Sequence, residues 1–127
     1  MVKTLFFIGA GSFAGGIARY LLSRLIQSHA ASGFPWGTLA VNVAGCLAIG
    51  LLYGLFERGN LLNAELRLFL TVGFCGGFTT FSTFSSDVVR MLKSGDYTAA
   101  GLCVALNFAV CVCCILLGTA LGRLLKR

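Results

Sequence analysis

The sequence predicts an all-α integral membrane protein of four transmembrane helices, with the third broken at mid-membrane. Three observations predict it. The 127 residues are 57% hydrophobic and 11% charged, where soluble domains carry about 25% charged residues, and the mean hydropathy is +0.91. Four charge-poor stretches follow one another: Thr4–Ala18, Ala30–Phe56, Leu68–Ser86 and Tyr97–Gly122. Inside the third lies Gly73-Phe74-Cys75-Gly76-Gly77, and soon after it Thr79-Thr80-Phe81-Ser82-Thr83-Phe84-Ser85-Ser86, in which six of eight residues carry hydroxyls.

A spanning helix needs roughly 20 apolar residues. The second, third and fourth stretches meet this outright. The first has 15 residues before Arg19 and reaches Ile26 if Arg19 and Arg24 snorkel or face protein. Lys3 with Thr4–Ala18 also has the form of a secretory leader, but the chain beyond it is more hydrophobic still, so it is read as a span. The expected spans are 4–26, 36–56, 66–90 (broken near 76–80) and 97–122, in one transmembrane domain that leaves no room for a soluble one. Gly33 and Pro35 precede the second span, Gly59, Asn60 and Asn63 punctuate the next connection, and Lys93-Ser94-Gly95-Asp96 forms the last.

Within the second span, Thr38, Asn42, Cys46, Gly50 and Gly54 recur every four residues and share one face. The pairs Gly11/Gly15, Gly50/Gly54 and Gly118/Gly122 have the spacing that lets membrane helices approach closely. They predict packing and mark no chemistry. An even number of spans puts both termini on one side, with Lys3, Arg58, Arg67, Arg123, Lys126 and Arg127. The other side carries Arg19, Arg24, Arg90 and Lys93. Orientation follows this imbalance, and six against four is a weak bias. A chain so balanced can insert both ways and form a two-fold antiparallel dimer, two-fold dimers being the commonest closed assembly.

The third stretch would be a loop in a soluble protein. In a bilayer, irregular backbone is tolerated only where it is buried in protein or lines a polar cavity, which makes it a candidate ion or substrate site. An enzyme is not expected. The four acids (Glu57, Glu65, Asp87, Asp96) lie at span ends or in connections, His29 is the only histidine, and the six cysteines show no paired CxxC spacing. Metal and disulfide readings lack their usual pattern, and cysteine in apolar spans behaves as a small hydrophobe.

Three transport readings compete. Thr71-Val72-Gly73-Phe74 resembles the start of a potassium filter, but Cys75 stands where the second glycine would be and such filters are four-fold rings of carbonyls. Proton-coupled export of cationic drugs needs a membrane-embedded acid, and the first span has none. An anion pathway fits better. Arg19 and Arg24 sit at the end of the first span and the net charge is +6. Asn42 and the Thr/Ser run offer donors. Phe78, Phe81 and Phe84 follow one another at intervals of three, and an aromatic ring has a positive edge that can face an anion. Plain packing is the competing account of these rings.

The stretch Gly73-Phe74-Cys75-Gly76-Gly77-Phe78-Thr79-Thr80-Phe81-Ser82-Thr83-Phe84-Ser85 closely resembles the signature of the Fluc (CrcB-type) fluoride channels. Gly37-Thr38-Leu39-Ala40-Val41-Asn42-Val43-Ala44-Gly45 resembles that family's second-span motif, and Gly15-Gly16-Ile17-Ala18-Arg19-Tyr20 its first-span motif. The resemblance covers essentially the whole chain. It implies an antiparallel dual-topology homodimer in the cell (inner or plasma) membrane, with two fluoride pores and a central structural sodium ion held by backbone carbonyls of Gly76 and Thr79 from each copy. It also implies Phe81, Phe84 and Asn42 as the fluoride path, Ser82 and Thr83 as its hydroxyls, and Thr38 as an extension one turn away. Asn107 is the polar member of a fourth-span line with Cys103 and Cys111, and Arg19 shapes the vestibule field. The expected function is passive, fluoride-selective conduction that lowers cytoplasmic fluoride, with fluoride, lipid and a second copy as partners and no nucleic acid. The alternatives are a coupled fluoride/proton exchanger and a non-conducting membrane scaffold.

Overall fold

The computed structural model describes residues 1–30, 33–57 and 63–125, all helices and connections. Four segments are long and apolar enough to cross a membrane: Val2–His29 (α1), Trp36–Phe56 (α2), Ala64–Lys93 and Tyr97–Leu125 (α6). The third is composite. A short helix, Ala64–Leu68 (α3), widens into a π-helical stretch, Phe69–Cys75, and closes with the single turn Gly76–Phe78 (α4). A new helix, Phe81–Lys93 (α5), completes it.

The helix ends obey local chemistry. Asn63 Oδ1 accepts from Leu66 N at 2.8 Å, Thr80 Oγ1 from Thr83 N at 3.1 Å and Asp96 Oδ1 from Ala99 N at 3.2 Å, each satisfying an amide that the first turn leaves without a partner. Between α5 and α6 the chain reverses at Gly95, whose φ of +84° suits glycine.

The largest interface joins α2 to α6. The two helices run parallel and in register at an offset of 65 residues, the separation of the bonded pair Asn42 and Asn107. Glycines set the approach at one end. A Cβ added at Gly50 would strike the Ile115 carbonyl, one at Gly54 the Thr119 carbonyl, and one at Gly122 the Leu51 carbonyl. A second crossing joins α1 to the composite span. Gly11 and Gly15 lie against the backbone of Phe69 and Phe74, while Cβ atoms at Gly73 and Gly77 would sit 2.8 Å from the Ile8 carbonyl and 2.7 Å from that of Ser12. The glycine pairs expected to be packing devices are packing devices.

At the end that carries the N-terminus, Lys3 pairs with Glu65 at 3.8 Å, and Arg123 grips Glu57 through two bonds of 2.6 and 3.0 Å. Arg58, Gly59, Asn60, Lys126 and Arg127, expected at the same end, lie outside the described residues.

Candidate functional site

The site is built around two residues. Thr79 (φ −89°, ψ 157°) and Thr80 (φ −148°, ψ 122°) are extended between α4 and α5. In an unbroken helix the Thr80 N–H would donate to the Gly76 carbonyl. Here it donates to Asn42 Oδ1 at 2.7 Å, while Asn42 Nδ2 donates back to the Thr80 carbonyl at 3.1 Å. One side-chain amide thus serves both backbone groups of Thr80, much as a paired residue on a neighbouring strand does. Where no water reaches, this is what keeps the interruption satisfied.

Asn42 makes a third bond, from Nδ2 to Asn107 Oδ1 at 3.2 Å, and Asn107 Nδ2 donates on to the Cys103 carbonyl at 2.9 Å. Both asparagines are buried. Both amide hydrogens of Asn42 are therefore engaged. Nearby, Thr79 Oγ1 donates to the Cys75 carbonyl at 3.1 Å, and Arg19 Nε reaches from α1 to the Gly77 carbonyl at 3.1 Å.

An open cleft of about 650 Å³ lies beside this network, lined among others by Asn42, Cys46, Thr79, Thr80, Phe81, Phe84, Ser85, Asn107, Phe108 and Cys111. Phe81 is 78% exposed on it. Phe84 is half-buried and packs toward Met91, Ala100 and Cys103. Their ring centroids are 5.5 Å apart with planes at 53°, so edge as well as face is presented to the cleft. Phe78 does not join them. The extended pair turns it away to stack on Phe74 at 5.8 Å, so the three rings do not share a face.

A second cleft of about 500 Å³ is lined by Arg19, Tyr20, Ser23, Arg24, Gln27, Ser28 and Thr83. Arg24 Nη1 donates to the Tyr20 hydroxyl at 2.8 Å, and no acid is in the lining. Its field is positive.

The structure brings Phe81, Phe84, Asn42, Asn107 and Thr79 to one cleft and places the other expected residues elsewhere. Thr83 and Arg19 belong to the basic cleft. Ser82 is exposed, its hydroxyl 3.3 Å from that of Thr80. Thr38 donates to Asp87 Oδ2 at 2.9 Å, and Asp87 also pairs with Arg90 at 3.6 Å. Gly76 is exposed, with only the Thr71 carbonyl, at 3.8 Å, near its missing side chain.

Thr80 and Cys46 are cleft-lining positions that sequence reasoning did not single out. Thr80 carries a helix-start signal, a hydroxyl three residues ahead of Thr83, and Cys46 stands on the four-residue stripe of α2. Neither signal names a partner.

Four apolar helices around a polar, amide-bridged interruption define a multi-pass membrane protein with hydrogen-bonding capacity inside its spans. Residues 6–119 match the family described as CrcB-like protein, Camphor Resistance (CrcB), and the chain belongs to that family. It is 44% identical over 126 residues to the fluoride-specific ion channel FluC of Geobacter sulfurreducens, covering 99% of this chain and 98% of that protein. Against the protein of that name from Bacteroides fragilis it is 44% identical over 128 residues, 98% of this chain and 100% of the relative. Against that from Phocaeicola vulgatus it is 49% identical over 96 residues, 76% and 78% of the two chains.

Proposed function

We propose that this chain is a fluoride-selective channel, passive and non-enzymatic, that lets fluoride leave the cell down its gradient. The observation that carries the reading to fluoride is the name shared by relatives matched along nearly the whole chain. The geometry supports a mechanism. Fluoride is small and strongly hydrated, so a path must replace its water with several donors at close range. Asn42 already directs one amide hydrogen at a neutral acceptor, Asn107 Oδ1. An arriving fluoride takes the place of that acceptor, Asn107 turns aside, and the edges of Phe81 and Phe84 flank the ion without a full positive charge to trap it. The basic cleft of Arg19 and Arg24 raises local anion concentration.

The assembly in this proposal is an antiparallel homodimer of dual topology, with the interruption at mid-membrane and one pore on each side of the two-fold axis. A structural sodium ion would be held by the carbonyls of Gly76 and Thr79 from both copies. These residues fit a hard cation, which takes oxygen ligands. The Gly76 carbonyl loses its usual helix donor, because the Thr80 N–H is given to Asn42, and the surface around Gly76 is open to a second copy. Bound there, the ion would neutralise converging carbonyl dipoles.

The test is efflux from proteoliposomes read with a fluoride electrode, with chloride as control. Rapid fluoride release with chloride retained is expected; no release sinks the channel reading and favours the scaffold. An exchanger would need a free acid, and Asp87 is already engaged by Thr38 and Arg90. Electrical current beyond the rate of an exchange cycle excludes it. Labelling of the termini from both sides of the membrane checks dual topology.

A further inference from the structure

Cys111 and Cys114 stand at C-x-x-C spacing with no second such pair in the sequence, but the register of α2 on α6 gives Cys111 a partner on the facing helix. The 65-residue offset that joins Asn42 to Asn107 sets Cys46 opposite Cys111 one turn further on, across the seam between α2 and α6. Both are free thiols, half-buried, and both line the cleft of about 650 Å³. Among the described residues no group of three or more His, Cys, Asp or Glu converges on a point where a metal could sit. A cation arriving here finds two sulfurs and no third side-chain ligand.

That donor set is selective. Structural zinc takes four ligands and calcium takes six or more oxygens, so neither is served. Soft thiolates favour soft cations, and two opposed sulfurs suit the d10 ions that accept linear coordination. Charge narrows the choice. Divalent mercury with two thiolates is neutral, whereas monovalent silver or copper leaves one negative charge, which is costly in apolar surroundings.

We propose that Cys46 and Cys111 form a two-coordinate site for soft d10 cations, matched best by divalent mercury, on the wall of the cleft. Each S–H gives its proton to water, two S–Hg bonds form as the two chlorides of mercuric chloride leave as chloride ions, and no electron is transferred, so two protons leave per ion bound. The metal ties α2 to α6 one turn from Asn42. Binding does not depend on what the cleft conducts. Its consequence for flux rests on the fluoride reading: a filled site obstructs the path.

The test uses the purified full chain in detergent, titrated with mercuric chloride while sulfur-to-mercury charge-transfer absorption and proton release are followed. The first equivalent per protomer is expected to release two protons. Cys46→Ala and Cys111→Ala should each lose that two-proton step and weaken first binding about 100-fold or more, since a second ligand acts at high effective concentration. Cys113→Ala, at an exposed position, should bind like the parent. Cys46→Ser and Cys111→Ser, closer to cysteine in size, repeat the comparison in case an alanine variant elutes as misfolded protein. Two-proton binding that survives either substitution at parental affinity, or a first equivalent that releases one proton, overturns the proposal. In proteoliposomes mercury should stop fluoride efflux from the parent but not from Cys111→Ala, each compared with its own mercury-free rate. Two-proton binding by a protein with no fluoride flux supports the site and sinks the conduction reading instead.

Discussion

The seam between α2 and α6 has two halves built on one rule with opposite outcomes. Both halves turn a residue of α2 toward α6 every four positions. From Gly50 onward those residues are Gly50 and Gly54, met from α6 by Gly118 and Gly122, and each backbone lies against the other. Before Gly50 they are Thr38, Asn42 and Cys46 facing Cys103, Asn107 and Cys111, and beside them the seam opens into a cleft. Side-chain volume along one stripe decides whether two parallel helices close up or make room for α5 and a cleft. The glycine half fixes the register, and the polar half depends on it, since Asn42 can reach Thr80 and Asn107 together only at this offset.

The comparison can be broken most severely in the polar half. Asn42→Asp replaces the amide donor with a carboxylate facing Asn107 Oδ1 and the Thr80 carbonyl, and fluoride efflux should fall to the level of empty liposomes. Phe81→Ile should also remove flux, but with the assembly intact on size exclusion, because the ring is largely exposed and only its edge is lost. Unchanged efflux in both variants would refute the path. In the glycine half, Gly118→Val should cost about 1–3 kcal/mol as overpacking, read as a lower melting temperature in detergent. The new Cβ would meet the Leu51 amide nitrogen at 2.8 Å. A finer effect is the coupling of Asn42 and Asn107, for which a double-alanine cycle should give about 0.6 kcal/mol and at most about 1.7. The smallest belongs to the exposed end of the seam, where Arg123→Gln should leave the melting temperature unchanged despite its two bonds to Glu57.

Much of this was legible in the chain. The four-residue stripe of α2, the glycine pairs and the Cys103–Asn107–Cys111 line are periodicities, and periodicity reveals which face of a helix is special. It does not reveal which helix that face meets, or at what offset. The structure pairs two lines that are separate in the sequence, and so turns Asn42 from an isolated donor into a clamp on Thr80. The same gap explains the residues whose places were not legible. Thr38 shares a stripe with Asn42, but Asp87 of α5 comes within its reach. Ser82 and Thr83 share the hydroxyl run with Thr79 and Thr80, yet once α5 starts they point to other sides of a helix. Phe78 looked continuous with Phe81 because a three-residue spacing assumes unbroken helix.

The π-helical stretch Phe69–Cys75 bears on how the gene tolerates changes of length. Such a wide turn is what a regular helix adopts when it absorbs a surplus residue while its flanks stay put. Excising one residue there lets the coil tighten while Gly77 and the threonines beyond keep their orientation. The same excision from α2 would swing everything after it by about 100°, parting Asn42 from either Thr80 or Asn107. Single-codon deletions should therefore be far better tolerated between positions 69 and 75 than in the helix that carries the clamp.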